Sequence, residues 1–366
     1  MKIAKAVIED FRHIERLELD FTDSLGRVRD LSLLVGPNTS GKTTVLDALA
    51  VAGGLSTELP YARPGFELTP RGIVRKGALH AKVTCEVRFT EDEVAATREV
   101  LARADKNWDV PSSPDVQIEW QYPDPRNKSV YGHTCYHPKS AWTLFKGRVS
   151  VARLLSTGRV DWSWFKRVGA VFTFDQQRTG MGKTIPRDIW NIIHGLGADE
   201  EPDGGRRTSD PRTILLAMAV QAHLPPVGKR DGDEFRAIQD KYAEICAPHR
   251  IQGAIRDELG APDILFSDGS YEYRYDGLSS GEQMLLLFLI RMVTEHIHQS
   301  IVLVDEVELH QHPVWQRKLL HLLPIFGDGN QVIATTHSPY VRDAAPRGAL
   351  MELGELGETP AKGDAK

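Results

Sequence analysis

The chain is poor in cysteine, has no long apolar run and shows no excess of basic charge, and each absence removes a class of function. Its three cysteines, Cys85, Cys135 and Cys246, stand alone with no CxxC spacing. That excludes a disulfide framework and a cysteine zinc site, and it suits a reducing cytoplasm. The longest apolar run, Met284 to Ile290 with Met292 and Val293 beyond Arg291, is far too short to cross a bilayer. The N-terminal residues alternate apolar and polar where a signal peptide has a continuous apolar core, so a soluble, cytoplasmic protein is expected. With a formal net charge of -5, contact with DNA or RNA needs a local basic face or a partner that supplies one. Internal repeats are absent, and no heptad run is long enough for a coiled-coil arm.

What is present is an ordinary globular balance. Hydrophobic residues make up 41% and charged residues 26% of 366 residues, enough for a sizeable core over about two domain lengths of roughly 150 each. Ile3 to Ile8 and Ile14 to Phe21 read as strands joined by a short turn. Leu31 to Val35 reads as a buried parallel strand that runs into a glycine-containing loop and a helix from Lys42 to about Ala52. Ala81 to Phe89 alternates as a strand, and Thr90 caps a helix with acids in its first turn. Residues 107–165, rich in Trp, Tyr, Pro and Gly, are expected to be a β-rich insertion with one strand at Val116 to Tyr122. A strand at Ala170 to Phe174, helices near 187–195, 211–223 and 233–246, and short strands near 263–275 follow. The C-terminal part then reads as helix 280–298, strand 301–304, helix 313–324 and strand 331–335. The last residues are expected to be a disordered tail.

Three segments carry chemistry. Gly36-Pro37-Asn38-Thr39-Ser40-Gly41-Lys42-Thr43 fits G-x-x-x-x-G-K-[ST], and it follows an apolar strand and opens a helix, as phosphate binding requires. Its backbone amides and the helix N-terminus would face phosphate, with Thr44 just inside the helix. Lys42 would reach the β- and γ-phosphates of ATP, and the Thr43 hydroxyl would ligate magnesium. Ile301 to Val304 is an apolar strand ending in Asp305 and Glu306. Ligands gather at such C-terminal strand ends in a parallel sheet, so Asp305 is placed to hold magnesium and Glu306 to act as general base. Leu278-Ser279-Ser280-Gly281-Glu282-Gln283 opens the long apolar helix. Serine capping with an early acid explains its composition as a helix start, but not its place in the order of segments.

That ordered set resembles the ABC ATPase heads of the SMC, Rad50, RecF and OLD lineage over nearly the whole chain. The stretch Asp305 to Pro313, DEVELHQHP, is similar to the DEPELHLHP form of OLD-like and AAA15-type ATPases of anti-phage defence, with Val307 in place of proline. The resemblance implies an α/β P-loop fold: a mixed β-lobe, a RecA-like parallel-sheet core and a short helical insertion. It divides the chain into an N-terminal lobe 1–182, a helical insertion or lid 183–270, a C-terminal lobe 271–352 and a tail 353–366. Ser279, Ser280 and Gly281 would be the signature that docks on ATP held by a second copy. His337, after strand 331–335, would be the switch histidine at the γ-phosphate. Gln177, or its neighbour Gln176, would touch magnesium and the attacking water. Arg75 in Val74-Arg75-Lys76-Gly77 resembles the arginine loop of SMC heads and would reach phosphate or DNA. Phe11-Arg12 resembles a turn near the nucleotide.

Two departures narrow the role. Residues between the glutamines and the signature hold no long coiled coil and no zinc hook, and no Toprim nuclease follows His337. The expectation is therefore an ATP- and magnesium-dependent homodimer that controls a separately encoded, nuclease-like effector, with DNA contacted directly or through that partner and no membrane involved. The alternative is a self-sufficient RecF-like DNA-repair clamp, although RecF-like chains do not usually carry the ELHxHP stretch. The same stretch argues against a transporter subunit, and the signature argues against a small-molecule kinase.

Overall fold

Strands that are buried along their whole length need cover on both faces, and three such strands organise this protein. The structure is a computed structural model that describes residues 1–57, 70–124, 132–174, 211–222, 234–256, 260, 262–308 and 311–354. Strands β1 (Lys2–Phe11), β2 (Ile14–Asp20), β4 (Ala81–Arg88), β5 (Asp115–Tyr122) and β6 (His133–His137) form a five-stranded antiparallel sheet in the order β2-β1-β4-β5-β6. Strands β3 (Leu31–Val35), β7 (Val171–Phe174), β11 (Ile301–Val304), β12 (Gln331–Thr335) and β13 (Leu350–Glu352) form a second sheet, all parallel, in the order β13-β3-β12-β11-β7. A small antiparallel sheet comprises β8 (Arg250–Arg256), β9 (Pro262–Ser267) and β10 (Glu272–Arg274).

Every residue of β3, β11 and β12 is buried, whereas β4 alternates between buried and more open positions. The difference follows from layering. The helix Lys42–Thr57 lies between the two large sheets, where Val45, Leu46, Leu49 and Val51 share a core with Ile8, Val83 and Trp120 on one side and Leu34, Leu303 and Ile333 on the other. Gly53 permits the close approach, because a Cβ there would lie 2.7 Å from Val171 Cγ2. On the opposite face of the parallel sheet, Leu33, Phe172, Val302 and Val304 pack against helices Pro211–Ala222, Glu234–Cys246, Ser280–Thr294 and Pro313–Leu322.

The stretch 107–165, expected to be β-rich, holds two strands, β5 and β6, and then turns helical. A 3-10 segment Lys139–Lys146 and a helix Gly147–Leu155 bury Ala141, Leu144, Phe145, Val151 and Leu154 at helical spacing. Their apolar face packs on helix Glu91–Arg103 through Ala96 and Val100. The tryptophans and glycines that suggest strand punctuate these turns. The expected helical stretch 183–270 also departs from helix, since its described part ends in β8 and β9, where Ile264 and Phe266 bury at a period of two. The helix predicted over 280–298 stops at Thr294, because His296 takes a left-handed φ of 44°. Among the described residues no helix is long and apolar enough to cross a membrane.

One buried cation ties helix Ser280–Thr294 to the parallel sheet. Arg291 is 0% exposed; its Nε donates to Glu295 Oε1 at 2.8 Å, and Nη1 donates to the Thr173 carbonyl at 2.8 Å. The guanidinium also lies over the Phe174 ring at 4.2 Å. Removing one partner of a buried pair strands the other charge. Arg291→Met is therefore expected to lower the unfolding free energy by about 3–5 kcal/mol in urea denaturation. Arg291→Met combined with Glu295→Leu should recover much of that loss; a fully additive double loss would show that the pair is not the source.

Candidate nucleotide site

The C-terminal ends of β3, β12 and β11 lie side by side, and the polar residues that follow each strand converge there. After Val35 the chain turns through Gly36 to Thr43. Thr39 and Gly41 adopt left-handed φ values of 73° and 90°, the tight winding that turns successive amides inward. Gly36 must lack a side chain, since a Cβ would sit 2.7 Å from the Leu353 carbonyl oxygen. Lys42 is 5% exposed and curls into its own loop, donating from Nζ to the carbonyls of Gly36 at 2.9 Å and Pro37 at 2.8 Å. Burial lowers its pKa, and the charges of Asp305, Glu306 and Glu308 act in the opposite direction.

Asp305 is 1% exposed and takes hydrogen bonds from the start of the helix that follows β3 and from the end of the neighbouring strand β12. The Thr43 hydroxyl reaches its Oδ1 at 3.0 Å and Oδ2 at 3.2 Å, and the Thr335 hydroxyl donates to Oδ1 at 2.7 Å. The Thr335 oxygen also accepts from Glu306 N–H at 2.8 Å. Glu306 has a φ of 46°, a left-handed conformation that costs a non-glycine residue about 1–3 kcal/mol and turns the chain sharply after Asp305. Two residues on, Glu308 Oε1 accepts from the backbone N–H of His337 at 2.5 Å and of Ser338 at 3.0 Å, while its buried Oε2 has no partner among the described residues. The His337 side chain is exposed. Beside the loop, Gly36, Pro37, His337, Arg342 and Leu353 help to line a cavity of about 380 Å³.

A family model described as "AAA ATPase domain" matches residues 1–72, the part that holds the phosphate loop. Another, described as "AAA domain, putative AbiEii toxin, Type IV TA system", matches residues 226–343, with the signature, both strand-end acids and His337. Solved structures of SMC heads share the fold. An SmcHead bound to the C-winged helix domain of ScpA superposes with a TM-score of 0.51 at 13% identity, covering 94% of this chain and 92% of that one. A second, an Smc head domain with an extended coiled coil bound to the C-terminal domain of Pyrococcus furiosus ScpA, gives 0.51 at 14% identity over 94% and 91%. The chain has the fold of an SMC-type ATPase head. "Septu protein PtuA" of Bacillus thuringiensis is 31% identical over 153 residues, which span 38% of this chain and only 37% of that relative. "Retron Ec83 probable ATPase" of Escherichia coli is 21% identical over 93% of this chain and 69% of its own length.

The turn Ser279 to Gly281, expected to be the signature, is held from beneath. Ser279 caps helix Ser280–Thr294 in a capping box with Glu282, and the side chains of Ser279 and Ser280 are exposed. Burial would push the Glu282 carboxyl up, but hydrogen bonds from Tyr242 at 2.7 Å and from Ser279 hold it below the usual carboxylate range. Gly281 is buried, and its carbonyl accepts from Gln311 Nε2 at 2.8 Å. Arg12 extends to the phosphate-loop helix, where Nη1 pairs with Asp47 at 2.6 Å. Arg75, expected at phosphate or DNA, pairs with Asp10 of β1 at 2.7 Å and Glu15 of β2 at 3.6 Å and stays partly exposed. Gln176 and Gln177 lie outside the described residues.

Thr43 and Asp305 present a hydroxyl and a carboxylate within hydrogen-bond distance of each other, the hard oxygen donors that suit magnesium. Among the described residues no group of three or more His, Cys, Asp or Glu converges on a metal position. A site of this kind leaves the remaining positions of an octahedral ion to water and phosphate oxygens. Sequence reasoning missed Thr335, Glu308, Gln311 and Asp47. Of these, Glu308 and Gln311 lie in the DEVELHQHP stretch, Glu308 as its third acid, but their partners are set by the fold. Thr335→Val keeps the shape of the side chain but leaves Glu306 N–H and an Asp305 oxygen without that hydroxyl. The variant is expected to lose about 1–3 kcal/mol of stability in urea denaturation, with Thr335→Ser close to wild type. An unchanged midpoint for Thr335→Val would remove Thr335 from the site.

Proposed function

We propose that this ATPase head works as a pair, with two copies closing over two ATP molecules so that each nucleotide is held by the phosphate loop of one copy and the signature of the other. The observation that carries the reading is the division of the chain. Gly36 to Thr43, Asp305 and the His337 segment meet at one set of strand ends, while the exposed Ser279 and Ser280 head a helix on the opposite face of the parallel sheet and no signature residue lines the cavity beside the loop.

On binding, Lys42 would exchange its bonds to the Gly36 and Pro37 carbonyls for the β- and γ-phosphates, and the loop amides would cradle the same oxygens. Magnesium, when bound, neutralises charge on those phosphates, and Thr43 and Asp305 are the residues that would hold it. Glu306, turned out of line with Asp305 by its left-handed backbone, takes the proton from the attacking water. His337, with its amide fixed by Glu308, presents its ring to the γ-phosphate. Gln177 is assigned to the water and metal on the strength of the family resemblance. Phosphoryl transfer relies mainly on such positioning and charge neutralisation. Hydrolysis then removes the group that joins the two copies, and the pair separates.

The pair is proposed to govern a separately encoded nuclease-like effector of an anti-phage system. The DEVELHQHP stretch and the likeness to PtuA and to a retron ATPase support that role. The SMC neighbours, captured with ScpA domains, illustrate a head of this fold holding a partner chain. The RecF-like alternative predicts that the pure protein binds DNA when ATP is present, with affinity falling steeply as salt rises.

Glu306→Gln should bind ATP, accumulate as a dimer in light scattering with ATP and magnesium, and turn over on the order of 10²- to 10⁴-fold more slowly. Wild-type turnover in this variant, or a mass that nucleotide never changes, would overturn the two-copy mechanism. For the effector, the tagged protein should recover a stoichiometric partner from its own host, with nuclease activity in the eluate that responds to ATP. Recovery of the protein alone, together with ATP-dependent DNA binding, would favour the clamp.

A further inference from the structure

We infer that Gln311 and Gln316 are positioning residues that connect the switch segment of one nucleotide site to the signature turn of the other. The inference rests on the two-copy reading and assigns it a route within each chain. Beginning at the switch, Ser338 Oγ donates to Gln316 Oε1 at 2.5 Å. Gln316, on helix Pro313–Leu322, donates from Nε2 to the Gln311 carbonyl at 2.9 Å. Gln311 donates from its own Nε2 to the Gly281 carbonyl at 2.8 Å. Three hydrogen bonds thus join Ser338, beside His337, to the middle of Ser279-Ser280-Gly281. A second tie anchors the same relay to the strand-end acids, because Gln311 N–H donates to the Glu308 carbonyl at 2.9 Å and Glu308 holds the His337 and Ser338 amides.

The chemistry of Gln311 argues that the link is more than packing. Its amide must present nitrogen to the Gly281 carbonyl, since the reverse orientation would oppose two acceptors. That leaves Gln311 Oε1 buried with no partner among the described residues. A buried acceptor without a donor is destabilising, and an apolar side chain of similar length would avoid the penalty. The polar group is therefore costly to the fold and useful to the contact it makes. The far end of the signature turn is fixed independently, because Glu282 is bound by Tyr242, Tyr273 and Ser279. Gly281 lies between that fixed end and the relay. A shift of Ser338, as His337 meets the γ-phosphate of its own ATP, would pull on the Gly281 carbonyl and so move the exposed Ser279 and Ser280 that meet the partner's ATP. The two sites of the pair would then be coupled, and by linkage the coupling runs both ways.

Gln311→Met and Gln316→Met keep length and apolar volume while removing the donors. Steady-state ATP hydrolysis by the full chain is measured against ATP concentration, with light scattering for dimer formation and a fluorescent ATP analogue for binding to the isolated chain. Wild type should show a Hill coefficient above 1. Each variant should approach 1 and lose about 10-fold in kcat, while its affinity for the analogue stays within about two-fold, because neither glutamine touches the phosphate loop. The double variant should be no worse than either single, since one break already interrupts the relay. An unchanged Hill coefficient in both single variants, or losses that multiply in the double, would overturn the relay. Gln316→Met keeps the test open should Gln311→Met fail to fold, because Gln316 sits partly open to solvent on its helix. A wild type that neither dimerises with ATP nor shows cooperativity would remove the two-copy reading and the relay together, whereas a dimerising wild type with unaltered variants removes the relay alone.

Discussion

A single buried carboxylate holds the working end of this molecule together. Asp305 sits at the tip of β11, and its bonds come from Thr43, which opens the phosphate-loop helix after β3, and from Thr335 at the end of β12. Thr43 and Asp305 are 262 residues apart in the chain. A carboxylate this buried needs hydrogen bonds or a counter-charge, and β12 lies between β3 and β11 in the sheet. Thr335 therefore occupies the one strand end adjacent to both. With only β12 between them, β3 and β11 bring the Thr43 hydroxyl within reach of Asp305, so the parallel topology and the donor pair are one constraint seen at two scales.

The helical face of the same sheet answers a different demand. Helix Ser280–Thr294 carries eleven buried residues, yet its N-terminus must leave Ser279 and Ser280 open. Two polar anchors reconcile these needs. Arg291 fastens the C-terminal half to Thr173 at the end of β7, and Glu282 fastens the first turn to Tyr242 of the preceding helix and Tyr273 of β10. The small sheet and helix Glu234–Cys246 thus serve as a base for the turn Ser279 to Gly281, a physical role that does not depend on their own surface chemistry.

What the sequence made legible are features whose causes are local. The phosphate loop needs glycines for left-handed backbone and a strand before it, and both are visible in Val35 to Thr43. The apolar strand Ile301 to Val304 ending in two acids is equally plain. Thr335, Glu308, Gln311 and Gln316 were not legible because their roles depend on register and on the turn that follows β11. Only the pairing of Val304 with Ala334 sets Thr335 beside Asp305, and no periodicity encodes that. Residues 107–165 misled for a related reason. Their aromatics suggested pleated surface, but Ala141, Leu144 and Phe145 repeat at helical spacing and bury against the neighbouring elements. Arg75 had motif company but also two acids within reach, Asp10 and Glu15, that one-dimensional reading could not place beside it.

The three acids at positions 305, 306 and 308 show how one short segment separates its duties. In a regular strand Asp305 and Glu306 would point to opposite faces, and one of them would enter the apolar core beside Val304 and Val307. The left-handed turn at Glu306 avoids this: the strand ends at Asp305, and the Thr335 hydroxyl and carbonyl receive the N–H groups of Glu306 and Val307. Glycine would adopt that backbone without strain but would supply no carboxylate. The strain at Glu306 is thus borne by the β12 edge, which bonds both amides around it. The same geometry frees Glu308 to bind the His337 and Ser338 amides. Glu306, Asp305 and Glu308 are distinguished by backbone conformation, since their side-chain chemistry is nearly identical.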